Sequence, residues 1–219
     1  MKGAKASGQK PQVVTLIVDD SGSMQGDKAK QATEAMQDVV LTMQSYDQGG
    51  ATFRFLLNIA KFGSQPHPLA EAAVPKEINI GLLNFEGGSG GTNMAAALNW
   101  ATEAVKGALK RLRSLPYYEE EQAPNPLCVF FSDGENMEGG DVGSPANSLK
   151  SIEFKGGSID VVACGIGMQP KDFPVMQKIA SRPELAVNID PARLSEFIAD
   201  VEASVYKGED PKNLVDRAR

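Results

Sequence analysis

Apolar residues along the chain fall into two patterns that alternate. A strand is predicted near 53–62 (FRFLLNIAKF), and short continuous runs rich in β-branched or aromatic residues occur at 13–18 (VVTLIV) and 127–132 (LCVFFS). Such runs predict strands that are buried on both faces, as in a parallel sheet. Between them, residues 27–46 and 93–113 carry apolar side chains at a spacing of three to four. That spacing indicates amphipathic helices that cover the strands.

The remaining sequence continues the alternation. Further strands are predicted at 159–164 and 186–189, and further helices at 146–154, 172–181 and 192–205. A short apolar segment, INIGLL at 78–83, predicts an edge strand after an irregular, proline-containing stretch. Six strands that alternate with helices predict an α/β fold: a doubly wound, mostly parallel six-stranded sheet with helices on both faces.

The polar ends of the chain set the expected domain limits. We expect one domain over residues 13–205, an extended or disordered N-terminal tail over 1–12, and a solvated C-terminal tail over 206–219. The N-terminal segment lacks the apolar stretch of a signal peptide, and no apolar run approaches the roughly 20 residues of a membrane span. We therefore expect a soluble, cytoplasmic protein that makes no contact with a membrane.

Composition excludes several classes of function. The chain has 22 basic and 28 acidic residues and a net charge of -6. No broad basic surface is then available for phosphate backbones, so nucleic acid is not an expected partner. Cys128 and Cys164 both lie inside apolar runs and are expected to be free core thiols. His67 is the single histidine, which excludes a histidine-rich metal centre.

Oxygen-bearing side chains follow two of the predicted strands and begin a predicted helix. An aspartate ends the first strand and two serines follow it at alternate positions, a threonine follows GGSGG at the start of a helix, and a second aspartate follows the strand LCVFFS. Because ligands bind at the carboxyl ends of strands in open α/β sheets, we expect these side chains to meet. Oxygen ligands suit a hard cation, Mg²⁺ first and Mn²⁺ or Ca²⁺ as alternatives. The candidate metal ligands are Asp19, Ser21, Ser23, Thr92 and Asp133.

The charge of this donor set indicates what a bound ion would do. Two carboxylates balance a doubly charged cation, while three hydroxyls contribute neutral dipoles. The ion would then remain able to attract one more anionic oxygen. An Asp or Glu of a protein partner can supply that oxygen.

The string DDSGS at 19–23 resembles the Asp-x-Ser-x-Ser motif of von Willebrand factor A (VWA) domains. Thr92 and Asp133 fall where that family has the remaining ligands of its metal-ion-dependent adhesion site (MIDAS). The resemblance covers residues 13–205. It implies a Rossmann-like VWA fold with strand order 3-2-1-4-5-6 and metal-dependent binding to an acidic residue of a protein partner, without catalysis.

Three further segments, KFGS, VVACGIG and FIADVEASV, resemble the bacterial VWA proteins associated with tellurite resistance, the TerY type. This resemblance implies a cytosolic protein of a stress-response or phage-defence system. Its expected partners are kinases, phosphatases or other Ter-type components.

Other functions remain open. A metal-dependent phosphoryl-transfer enzyme or phosphatase also begins with a strand and an aspartate, but Ser21 stands where the haloacid-dehalogenase type has its second aspartate, and no histidine lies near to replace it. A response-regulator receiver domain needs an acidic phosphoacceptor near position 63, where the chain has IAKFGSQP. A scaffold without metal is a further alternative. Asp20, Glu86 and Glu135 are expected to be solvated or to support the ligands.

Overall fold

A six-stranded sheet lies at the centre of the computed structural model, which describes residues 10–46, 54–116, 118–134, 138 and 140–219. The strands are β1 (Gln12–Asp19), β2 (Phe55–Phe62), β3 (Pro66–Ala73), β4 (Leu127–Ser132), β5 (Glu153–Phe154), β6 (Gly157–Ser158), β7 (Asp160–Ile166) and β8 (Ala186–Ile189). The sheet has the order β3-β2-β1-β4-β7-β8, while β5 and β6 form a separate hairpin. All neighbours in the sheet are parallel except β3, which runs antiparallel to β2. The predicted fold class is confirmed.

Helices cover both faces of this sheet. They are α1 (Asp27–Tyr46), α2 (Met94–Arg113), α3 (Gly143–Lys150), α4 (Pro174–Ile179), α5 (Leu194–Lys207) and α6 (Pro211–Ala218). Helix α1 packs against α5, whereas α2, α3 and α4 form a second group. Every residue of β1 and of β4 is buried, which requires cover on both sides. The apolar runs of the sequence therefore form the core of the fold, in which β1 and β4 are neighbouring strands.

The edge strand differs from the prediction. The segment INIGLL forms no strand; Ile80–Leu82 is a 3-10 helix, and the edge strand is β3, in the stretch that the sequence marks as irregular. Proline lacks a backbone N–H and is tolerated at a sheet edge, so Pro66 and Pro68 are compatible with this position. The buried side chain of Asn58 also accepts a hydrogen bond from Ala72 N at 2.7 Å, which fixes the irregular register of β3 on β2.

The C-terminal segment also differs from the prediction of a solvated tail over 206–219. Helix α5 continues to Lys207 and ends at Gly208, which has a φ of 65°. Helix α6 follows, begun by Asp210, whose side chain accepts a hydrogen bond from Lys212 N at 2.8 Å. Leu214 and Val215 of this helix are fully buried. The segment is part of the fold because its few apolar residues share one helical face.

Other expectations have mixed outcomes. Both cysteines are free and buried, and burial raises the pKa of the Cys128 thiol to about 12. Gln12 begins β1 instead of belonging to an N-terminal tail. Residues 1–9, the predicted helix end at Gly49 and Gly50, and the predicted strand start at position 53 lie outside the described residues. No helix in the described ranges is long and apolar enough to cross a membrane.

Candidate metal centre

Asp19 lies at the carboxyl end of the central strand β1, beside β4, and is fully buried. Its Oδ1 accepts a hydrogen bond from Ser21 N at 2.8 Å, and its Oδ2 accepts one from Ser132 Oγ at 2.5 Å. Ser132 ends β4, so the two neighbouring strands together orient the carboxylate. The carboxylate is held in place before any ligand is present.

Burial raises the pKa of Asp19 from 3.8 to about 6. Hydrogen bonds from Ser132 and Ser21 oppose this shift, and the nearby charge of Asp133 adds to it. Desolvation is the largest cause, and no positive charge compensates the ionised form of Asp19 itself. A cation placed at this carboxylate would supply it.

A chain of hydroxyl contacts joins Asp19 to Asp133. Ser21 Oγ lies 3.1 Å from Ser23 Oγ, and Ser23 Oγ donates to Asp133 Oδ1 at 2.6 Å. Asp133 directly follows β4, and its side chain is almost fully buried. The two carboxylates predicted as ligands are thus connected through the two predicted serine ligands.

Thr92 reaches the same place from the start of α2. A Cβ atom built on Gly134 would lie 3.6 Å from Ser23 Oγ and 3.8 Å from Thr92 Oγ1, so both hydroxyls border one glycine next to Asp133. Glu138 N donates to Thr92 O at 3.1 Å and ties the loop after β4 to this helix start. The structure therefore brings all five predicted residues together at the carboxyl ends of the central strands.

Asp20 holds the glycine-rich loop, residues 86–91, that precedes Thr92. Its carboxylate accepts hydrogen bonds from Glu86 N at 2.8 Å, Gly87 N at 2.7 Å and Ser89 Oγ at 2.7 Å. Lys61 Nζ lies 3.3 Å from the same carboxylate. Asp20 is only 1% exposed, so it is a supporting residue and not a solvated one. The loop's glycine N–H groups, which need an acceptor, are the signal in the sequence that points to this role.

The other two acids expected near the site have separate outcomes. Glu86 is exposed, and its Oε1 accepts a hydrogen bond from Asn84 Nδ2 at 2.7 Å. Glu135 lies outside the described residues.

Lys28 is a functional neighbour that the sequence analysis missed. Its Nζ forms an ion pair with Asp133 Oδ2 and donates to Ser23 O at 3.3 Å. It lies in the first turn of α1, and its role at the site depends on a contact with a residue 105 positions away, which no local pattern indicates. Its ammonium pairs with Asp133 and not with Asp19, so the local charge still favours a cation.

The donor set fits a hard divalent cation. It offers two carboxylates and three hydroxyls, all oxygen, as Mg²⁺ prefers. Within the described residues no group of three or more His, Cys, Asp and Glu side chains is placed to hold a metal. Asp19, Ser21, Ser23, Thr92 and Asp133 are the residues that would hold the ion.

Solved structures with the same fold cover nearly all of the chain. The von Willebrand factor domain of the type V pilus tip protein Mfa5 from Porphyromonas gingivalis has a TM-score of 0.62 at 13% identity, covering 94% of this chain and 98% of that one. Proximal thread matrix protein 1 from the mussel byssus has a TM-score of 0.61 at 17% identity, covering 91% of this chain and 49% of that one. Another structure of the mussel protein, with a zinc-occupied MIDAS motif, has a TM-score of 0.63 at 15% identity, covering 93% of this chain and 49% of that one.

These likenesses show the fold, and the chain spans about half the length of the mussel protein. No curated protein matches the sequence significantly. The family model for the von Willebrand factor type A domain matches residues 14–201. That match spans the strands and loops that carry the five predicted ligands. The chain belongs to the von Willebrand factor type A domain family.

Proposed function

We propose that this domain binds one divalent cation, Mg²⁺ by preference and Mn²⁺ or Ca²⁺ as alternatives, and uses it to bind a protein partner. The ligands are Asp19, Ser21, Ser23, Thr92 and Asp133. The observation that carries the proposal is the hydroxyl chain from Asp19 through Ser21 and Ser23 to Asp133, with Thr92 beside it. The zinc-occupied MIDAS motif of the mussel protein supports a divalent ion.

The charge of the site defines the partner's contribution. When bound, the ion would be coordinated by only two charged ligands, so it could still attract one further anionic oxygen. A partner's Asp or Glu fits that requirement. Domains of this family are generally interaction modules and not enzymes, and one structural relative is a pilus adhesin of Lactobacillus rhamnosus GG. We assign no catalytic role to the five residues.

The biological setting is a proposal from the sequence resemblance alone. The segments KFGS, VVACGIG and FIADVEASV support a place beside TerY-type proteins, in a bacterial stress-response or phage-defence system in the cytoplasm. The partner would then be a kinase, a phosphatase or another Ter-type component. Reciprocal purification of the domain with such components tests this placement.

Calorimetric titration with Mg²⁺ tests the metal site. The wild-type domain should bind one ion, and Thr92→Ala and Ser21→Ala should each weaken binding because each removes a ligand oxygen. Thr42→Ala, on α1 away from the site, is the matched control and should bind as the wild type does. Unchanged binding in both ligand variants would place the ion elsewhere.

Partner binding with Mg²⁺ and with EDTA tests the role of the ion. Removal of the metal should lower the affinity about 30-fold or more, as expected when a charge-assisted contact to a desolvated ion is lost. Equal affinities would refute the adhesion-site function even if the metal binds. Hydrolysis of p-nitrophenyl phosphate that Asp19→Asn abolishes would instead favour the alternative, a magnesium-dependent phosphoryl-transfer or phosphatase-type enzyme.

A further inference from the structure

A cavity of about 370 Å³ lies at the amino-terminal ends of the sheet strands, opposite the candidate metal centre at their carboxyl ends. Gln12, Leu127 and Asp160, which begin the neighbouring strands β1, β4 and β7, line one side of it. Ser204 of α5 and Leu214 of α6 line the other side. Its volume is within the range of small-ligand sites, roughly 300–1,000 Å³. The proposed metal function uses none of these residues.

Gln12 brings an unpaired acceptor to this cavity. It is 8% exposed, and its Nε2 donates to Asn125 O at 2.7 Å. That contact fixes the amide orientation and leaves Oε1 buried, with no hydrogen-bond partner among the described residues. A buried acceptor without a donor costs free energy. A ligand that donates a hydrogen bond here would remove that cost.

Asp160 brings a half-buried carboxylate to the same place. Asn125 Nδ2 lies 3.4 Å from its Oδ2, so Asn125 contacts the side chains of both Asp160 and Gln12. In the part of the chain that the structure describes, no Lys or Arg forms an ion pair with Asp160. Burial raises the pKa of this carboxyl, and the contact with Asn125 and the charge of Arg182 oppose that shift only in part.

The other charges of the cavity are already engaged. Arg182 Nη2 lies 3.5 Å from Asp210 Oδ1, and its Nε lies 3.8 Å from Glu184 Oε1. Glu209 accepts a hydrogen bond from Arg217 Nη1 at 3.0 Å. Gln12 Oε1 and the carboxylate of Asp160 are therefore acceptors of this cavity that form no ion pair among the described residues.

These two acceptors define the ligand chemistry. A carboxylate and an amide oxygen together favour a cation that carries several N–H donors in a plane. A guanidinium group has that geometry, and its charge complements Asp160. A hard metal ion is a poorer match, because it requires about six oxygen ligands.

We propose that this cavity binds a guanidinium group, with Gln12 Oε1 and Asp160 as its acceptors. The group belongs either to a free small molecule or to an arginine side chain of another protein. The site acts independently of the metal centre.

Titrations of the full chain with agmatine and with the peptide acetyl-Gly-Arg-Gly-amide, followed by NMR, test the proposal. At least one of the two should cause saturable shifts in the resonances of residues that line the cavity, with the same affinity in Mg²⁺ and in EDTA. Tighter binding of agmatine indicates a free small molecule, and tighter binding of the peptide indicates a protein side chain. No saturable shift with either probe at millimolar concentration would overturn the proposal.

Substitutions separate the cavity from nonspecific binding of a cation to an acidic protein. Asp160→Asn keeps the shape and the contact to Asn125 but removes the charge, and it should weaken binding about tenfold or more. Asp38→Asn removes an exposed charge on α1 and should leave binding unchanged. Equal weakening in both variants, or equal shifts with CaCl₂ in place of either probe, would overturn the guanidinium site.

Discussion

The buried charge of Asp19 should destabilise the metal-free domain, and Asp19→Asn should relieve that effect. Burial raises the pKa of Asp19 from 3.8 to about 6, so the folded state favours the protonated form. The associated stability is fully present below about pH 3.8 and is lost as the pH rises through about 6. At pH 7 the loss amounts to about 3 kcal/mol of unfolding free energy.

Asparagine fits this position without new strain. Its side-chain oxygen can accept the hydrogen bond from Ser21 N, and its amide nitrogen can donate to Ser132 Oγ, since a hydroxyl both donates and accepts. In EDTA at pH 7 the variant should therefore be more stable than the wild type by up to about 3 kcal/mol. The difference should shrink to nothing as the pH falls toward 4.

Urea denaturation in EDTA at several pH values measures this difference. For a domain of this size, thermal unfolding should shift upward by about 6–12 °C at pH 7. The exposed Asp38→Asn is the control and should follow the wild-type curve. Saturating Mg²⁺ should stabilise the wild type and leave Asp19→Asn unchanged. If wild type and variant have the same stability from pH 4 to pH 7 in EDTA, burial does not raise the pKa of Asp19 and the reasoning is refuted.

Three further changes test the surroundings of the site. Lys28→Gln removes the ammonium that competes with a metal ion, so calorimetry should show Mg²⁺ affinity raised about tenfold, whereas Lys28→Arg, which keeps the charge, should show no such gain. Asp20→Ala leaves buried donors of the glycine-rich loop unpaired and should lower the unfolding free energy by about 3 kcal/mol, measured in urea; an unchanged midpoint would contradict the supporting role. Gly63→Ala would place a Cβ 2.0 Å from a backbone oxygen of that loop and should lower the unfolding free energy by about 2 kcal/mol in the same assay. A Cβ on Gly107 in α2 meets nothing within 4 Å, so the control Gly107→Ala should stabilise the domain. Equal effects of the two substitutions would rule out the clash.

Local patterns were sufficient to predict most of the sheet. Strands β1 and β4 are continuous apolar runs because they are buried on both faces, and the run itself marks their ends. Helix α1 begins at Asp27 and ends its described range at Tyr46, as its apolar spacing predicts. The residues that follow such strands are placed at one edge by the parallel topology alone. This is why the positions of Asp19 and Asp133 could be inferred before the structure.

Contacts between distant segments explain what the sequence could not predict. Strand β3 is half-exposed and lacks an apolar run, and its register depends on Asn58 of the neighbouring strand. Helix α6 has only eight residues, and its burial depends on contacts with α5 and β8. Lys28 and Asp133 are 105 positions apart. In each case the local pattern is weak and the partner lies elsewhere in the chain.

The adjacent acids Asp19 and Asp20 show a further limit of prediction from the sequence. Successive side chains at the end of an extended strand point in opposite directions. Asp19 therefore faces the serine hydroxyls, and Asp20 faces the backbone of the glycine-rich loop. Residue type is the same at both positions, so only the direction of each side chain separates a candidate ligand from a structural support.

The energetics of Asp19 bear on the competing idea that the domain is a scaffold without metal. A scaffold requires the fold but not the charge, and asparagine would preserve both hydrogen bonds at this position while avoiding a cost of about 3 kcal/mol at neutral pH. A buried, poorly compensated carboxylate at the end of the central strand is instead what a cation site requires, because the ion supplies the missing charge. The uncompensated charge of Asp19 follows from the burial of its side chain and the hydroxyls around it, independently of the family motif. The stability of Asp19→Asn relative to the wild type, measured in EDTA and in Mg²⁺, thus tests the scaffold alternative and the metal function together.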